Sequence, residues 1–142
     1  MADDFARVRK AVRRMIPDAN KAAHDAGALA VELIDKRVTQ EGKDRYGRKL
    51  KPYAKQTKEL RKARGRQTAH VDLVDSGNMM AALTYRARGN KAEVMFGKPA
   101  EAEKAWAHQT GKGRLPKREF FGLTKDERRK VAAKVKEHIG RG

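Results

Sequence analysis

The 142-residue chain has no cysteine. That rules out disulfides and thiolate metal sites, and with them the secreted disulfide scaffolds. Aromatic residues are few, at 6%, too few to interleave over a sheet as stacking platforms for single-stranded nucleic acid. No apolar run approaches the ~20 residues of a membrane span. The start, MADDFARVRK, offers no apolar stretch fit for a signal peptide, and the expectation is a soluble, intracellular protein with no membrane partner. Acid is scarce too: 18 Asp and Glu stand against 35 Lys and Arg, a formal net charge of +17. Such an excess repels itself and points to nucleic acid, an anionic surface or acidic proteins as partners. Hydrophobic residues make up 39% and charged residues 37%, so the core is small and support from oligomerisation or a partner is expected.

What is present reads as one domain over 1–142, of class α+β. N-terminal helices and a C-terminal helix are expected to pack on a small antiparallel sheet, with a long extended basic arm between. In the helical region 4–41, Phe5, Val8, Val12 and Met15 recur at helical spacing, and Pro17 then breaks or kinks the helix. Asp18 can cap a second helix, in which Ala22, Ala26, Leu29, Leu33, Ile34 and Val38 share a face. One kinked helix and two separate helices fit equally well. Residues 42–70 carry eleven Lys and Arg against two acids, Asp44 and Glu59. Their apolar residues are sparse and aperiodic, so this stretch reads as an arm or long loop that orders in an assembly, with room for a short helix over 55–63.

In 71–97, Asp75-Ser76-Gly77-Asn78 is a turn signal. Leu83, Tyr85 and Ala87 alternate with Thr84, Arg86 and Arg88 as in a half-buried strand, Gly89-Asn90 makes a tight turn, and Val94 with Phe96 continues a hairpin. In 100–140, a short helix ends at Gly111, a loop carries Phe120 and Phe121, and Thr124 with Glu127 forms a capping box. The last helix buries Val131, Val135 and Ile139 and ends at Gly140.

Motifs for chemistry are missing. His24, His70, His108 and His138 are isolated, with no second His or zinc-protease Glu at ligand spacing. His138 reads as a partner of a helix C-terminus, and His108 as packed or interfacial. Ser76 lacks a nucleophile elbow and reads as a turn or cap. The acids Asp3, Asp4, Asp18 and Asp126 read as helix starts, and there is no phosphate-binding Gly-rich loop. The expectation is a binding protein that uses no cofactor and no metal, and not an enzyme. If DNA is touched, the contacts go to the backbone, from Arg48, Lys49, Lys51, Lys55, Arg61, Lys62, Arg64 and Arg66.

Four further pieces follow one another along the chain: Asp44-x-x-Gly47-x-x-Leu50-x-Pro52-Tyr53-x-x-x-Thr57, Leu73-x-x-Ser76-Gly77-Asn78-Met79, Ala105-x-x-His108-Gln109-x-Gly111, and Pro116-x-Arg118-x-Phe120-Phe121-Gly122-Leu123-Thr124. In this order they resemble the phage virion morphogenesis family, the tail-completion and head–tail joining proteins of tailed phages. The match spans roughly residues 25–140. Two departures stand out: Tyr53 lies where the family tends to have Trp nearby, and the arm is unusually basic.

The resemblance implies a structural virion protein of the tail or neck, assembled in the host cytoplasm. It implies a homo-oligomeric ring, six copies being the expected number, whose neighbours would be tail terminator, tail tube, adaptor or portal proteins. Tyr46, Gly47, Leu50, Pro52, Tyr53 and Thr57 of the arm, and His108, Gln109 and Arg118 of the loops, would be the partner-binding residues. Phe120 and Phe121 read as core. The rival reading is a basic protein that holds duplex DNA without sequence preference.

Overall fold

The computed structural model describes residues 19–73, 77–113 and 115–138. The expected helix over 4–16, its break at Pro17, the cap at Asp18, Asp75 and Ser76 of the turn signal, Ile139 and the stop at Gly140 lie outside them. The described chain is α+β. It runs α1 (Ala19–Lys36), a π-helical turn (Arg37–Glu41), α2 (Lys55–Ala63), α3 (Asn78–Ala81), β1 (Leu83–Arg88), β2 (Lys91–Phe96), α4 (Pro99–Thr110) and α5 (Lys125–Lys136).

Helix α1 is the spine. Its buried face is built from small residues, Ala22, Ala23, Ala26, Gly27 and Ala30, before Ile34. Small residues let the hairpin come close: a Cβ added at Gly27 would lie 2.5 Å from Cδ2 of Tyr85. The helix closes in a wider π turn, which carries two consecutive residues, Arg37 and Val38, into the interior. Gly42 ends it with φ of 62°, a left-handed conformation that favours glycine. A side chain there would also meet the carbonyl of Val71 at 2.7 Å.

The hairpin pairs Leu83 with Phe96, Tyr85 with Val94 and Arg88 with Lys91, in antiparallel register around Gly89-Asn90. Leu83, Ala92 and Val94 are buried while Thr84, Arg86, Arg88, Lys91 and Glu93 are exposed, the alternation the sequence predicts. Both strands, and α5, pack on α1. Pro99 opens α4 and Gly111 closes it in the left-handed region. The loop beyond delivers Phe120 and Phe121 to the core, where both rings meet Phe96, at centroid distances of 6.1 and 5.4 Å. Helix α5 begins with the predicted capping box, Glu127 N–H donating to Thr124 Oγ1 at 3.1 Å and Thr124 N–H to Glu127 Oε1 at 3.0 Å. His138 reaches across to Asp25 of α1 at 2.8 Å, a specific partner where the sequence suggests only a helix dipole.

Residues 42–70 are less extended than the sequence predicts. Lys43 and Lys49 pair as an antiparallel bridge, Leu50 N–H bonds Gly42 O at 2.8 Å, and Leu50 is in the core. Helix α2 follows, with an exposed face of Lys55, Lys58 and Lys62. One apolar residue, Leu50, suffices to pin the first half, because the neighbouring backbone bonds to itself and to the 118–120 strip.

The joint that closes the fold is ionic. Arg37, 3% exposed, bonds Glu127 through Nη1, the carbonyls of Phe120 and Gly122 through Nη2, and that of Lys43 through Nε. Glu127 thus serves the cap of α5 and the charge of Arg37 at once. Glu127→Gln keeps a capping side chain but removes the counter-charge. Urea unfolding followed by circular dichroism is expected to show a loss of about 3–5 kcal/mol, the cost of breaking a buried pair from one side.

Candidate interaction site

The motif residues gather on the side of the fold where the 42–54 loop, the segment before α3 and the loop after α4 meet. Asp44 shapes the first loop: its Oδ1 accepts from the N–H groups of Tyr46 and Arg48, both at 2.9 Å, and its own N–H donates to Arg48 O at 2.7 Å. Gly47 takes the positive φ in this turn. The loop then lies along the strip before Phe120, with Arg45 N–H on Glu119 O at 2.8 Å. Tyr46 is left 57% exposed, its ring beneath Arg45 and Arg48.

Arg118 is the second stitch. Its N–H bonds His108 O at 2.8 Å, Nε bonds Lys51 O at 2.8 Å and Nη2 bonds Pro52 O at 3.2 Å. Tyr53 lies between Arg118 and Arg61, whose guanidinium carbons are 5.2 and 4.6 Å from the ring centroid. The Tyr53 hydroxyl donates to Asp72 Oδ1 at 3.2 Å and accepts Leu73 N–H at 3.1 Å. Burial, then the Asp72 charge, push its pKa up, so it stays a neutral phenol. Asp72 also takes Arg61 Nη2 at 2.9 Å and Gln67 Nε2 at 2.7 Å. Gln109 pairs with the Phe121 main chain, accepting from its N–H at 3.0 Å.

These positions sort the expected site residues. Tyr46, Gly47, Pro52 and Thr57 are exposed. Leu50, Gln109 and Arg118 are buried within the chain's own joints, and Tyr53 is half-buried there, so their first partner is this chain. Among the expected phosphate contacts, Arg48, Lys49, Lys51, Lys55, Lys62 and Arg64 are exposed and Arg66 is partly so. Arg61 is a correction: it is 6% exposed and paired with Asp72, because the helix turns it inward onto Tyr53. Sequence reasoning missed Asp72 and Arg37 altogether. The one signal for Asp72 was its place as an acid flanked by Val71 and Leu73. It also missed the exposure of Trp106, at 55%, beside an apolar groove formed with Val94, Phe96, Ala105 and Phe121.

Among the described residues, no cluster of His, Asp and Glu could hold a metal ion, and no helix is long and apolar enough to cross a membrane. Comparison with protein families, with characterised proteins and with solved structures returns no match.

His108 is half-buried, and burial, then the Arg118 charge, lower its pKa from 6.5. The unfolded chain therefore binds the extra proton more readily. This contribution to stability is complete above the ordinary value of 6.5 and is lost as pH falls below it toward the folded-state value. The His108→Gln variant is expected to lose less melting temperature than the native chain between about pH 7.5 and about pH 5, measured by thermal denaturation.

Proposed function

We propose that this chain is a structural subunit of a tailed-phage virion, part of a ring that completes or joins the tail at the head–tail interface. It acts by protein–protein binding, with tail terminator, tail tube, adaptor or portal proteins as neighbours, and not as an enzyme. One observation carries this reading. Four sequence pieces spread over residues 44–124, the same pieces that resemble the virion morphogenesis family, are knitted into one locus. Arg118 ties the fourth piece to His108 of the third and to Lys51 and Pro52 of the first, while Tyr53 of the first holds Leu73 of the second. Residues that build one joint together have a physical reason to occur together in a sequence.

The exposed Trp106 and the groove beside it supply a contact for a second copy. Trp is among the residues enriched at such interface centres. In mass photometry, alone or mixed with tail and neck proteins, the chain is expected at a multiple of its 16.0 kDa, six copies being the expected number. Trp106→Arg, at an exposed position, is expected to shift it to the single-chain mass. A native chain that stays monomeric even with those partners counts against the ring.

A second reading, nonspecific duplex binding, rests on the exposed cations Arg48, Lys49, Lys51, Lys55, Lys62 and Arg64. It is favoured if unrelated duplexes bind with a steep salt slope that neutralising these residues flattens.

A further inference from the structure

A groove of about 490 Å³ runs between α1 and α3, lined by Ala28, Val31, Glu32, Asp35, Met80 and Leu83 among others. It is part apolar and part acidic, in a chain whose net charge is +17. Seven described carboxylates, those of Glu41, Asp72, Glu101, Glu119, Asp126, Glu127 and Glu137, hold a Lys or Arg in an ion pair. Among the described residues, Glu32 and Asp35 hold none. Val74, Asp75 and Ser76, which precede Gly77 of the rim in sequence, carry no cation. The two acids stand about one helical turn apart, where like charges repel, and burial raises the Asp35 pKa. An incoming cation relieves both costs. The chain carries the complement elsewhere. The turn 44–48 is held from within by Asp44, and the Tyr46 hydroxyl bonds Glu119 at 3.4 Å. The turn presents a 57% exposed Tyr46 with the Arg48 guanidinium carbon 5.8 Å from its ring centroid, so ring and cation form one ordered tip. The tip lies along another face of α1, beside Leu33 and Lys36, outside its own groove.

We infer that the groove between α1 and α3 receives the Tyr46 turn of a second copy of this chain, with the ring against Val31, Met80 and Leu83 and the Arg48 guanidinium on Glu32 and Asp35. Charge complementarity selects this occupant. Two carboxylates repel a polyanion and attract a basic segment, with charge-assisted hydrogen bonds to the guanidinium. Tyr and Arg are the residue types that dominate interface centres, and a turn already ordered by its own hydrogen bonds loses little freedom on docking. Tip and groove share no residue, so the contact is head-to-tail: each copy gives one tip and receives one. Such an interface closes into a ring when the rotation between copies allows it. The inference rests on the ring reading and deepens it, adding a contact apart from Trp106.

The test uses the full chain, which has no cysteine of its own. Three single-cysteine variants are made at exposed positions: Lys49→Cys beside the tip, Ala28→Cys in the groove, and Ala132→Cys on α5 as a control. Mixed in pairs under mild oxidation, the 49 and 28 variants are expected to form an intermolecular disulfide several-fold faster than the 49 and 132 variants, because a disulfide needs the two Cα atoms close together. Sedimentation velocity supplies the second readout. Glu32→Lys, at an exposed position that circular dichroism can show to be folded, is expected to weaken self-association about tenfold, and Arg48→Glu added to the same chain is expected to restore most of it by reversing both charges. A native chain that self-associates, with 49 and 28 joining no faster than the control, overturns the inference and leaves the ring standing. A loss from Glu32→Lys that Arg48→Glu does not restore overturns the Tyr46 turn as the occupant. A native chain that sediments as a single copy at every concentration overturns the ring and this contact together.

Discussion

Burying the guanidinium of Arg37 commits two distant regions of chain, 37–43 and 120–127, to one another. Its donors reach the 43 loop, the carbonyls of Phe120 and Gly122, and the carboxylate that caps α5. A buried ion pair is often replaceable by apolar residues of similar volume. Here the replacement would also orphan three main-chain carbonyls, each of which needs a donor in the dry interior. The arginine is therefore held by its neutral partners as firmly as by the charged one. The π turn is what makes this possible, since it places Arg37 and Val38 inside together and so sets a charge beside the apolar core without breaking it.

The same device recurs across the candidate interaction site. Arg118 and Arg61 clasp Tyr53 from two sides, and Arg118 also tethers the main chain at Lys51 and Pro52. In a chain without disulfides and with a thin core, long cationic side chains fasten loops by donating to carbonyls, which a hydrocarbon side chain cannot do. This changes the meaning of the basic excess. Part of it is internal framework, and the outward-facing part is spread over the described surface, with one group on α2 and the 48–51 stretch next to Leu60 and Tyr46.

Much of the architecture was legible because it rests on local rules. The hairpin follows from period-two alternation around Gly89-Asn90, α4 from its terminating glycine, and α5 from Thr124 and Glu127, all set by residues a few positions apart. The buried stripe of α1 was legible in part: Ala22, Ala26, Ile34 and Val38 are buried as expected, while Leu29 and Leu33 are half-buried and Ala23, Gly27 and Ala30 take the closest packing. What escaped was decided by contacts across the chain. The 42–54 loop reads as unfoldable in isolation, and it folds only because Leu50 and Arg45 find the core and the 119 strip. Arg61 reads as one more surface cation, and only the placement of Tyr53 and Asp72 turns it inward. The motifs named residues that the structure brings into one joint, while their roles as mutual fasteners, and the parts played by Asp72 and Arg37, were not legible.

The double duty of Glu127 has a consequence for how the domain is assembled in time. Its partner Arg37 lies 90 positions earlier, so the residue that starts the C-terminal helix finds its counter-charge only after the chain has closed a very long loop. Such distant pairings are slow to form relative to local structure. Helix α5 is thus nucleated by a local cap and secured by a remote one, and the two share a single carboxylate. The domain has a latch whose bolt lies on α5 and whose socket lies just after α1, so the nascent chain cannot lock before residue 127 has emerged.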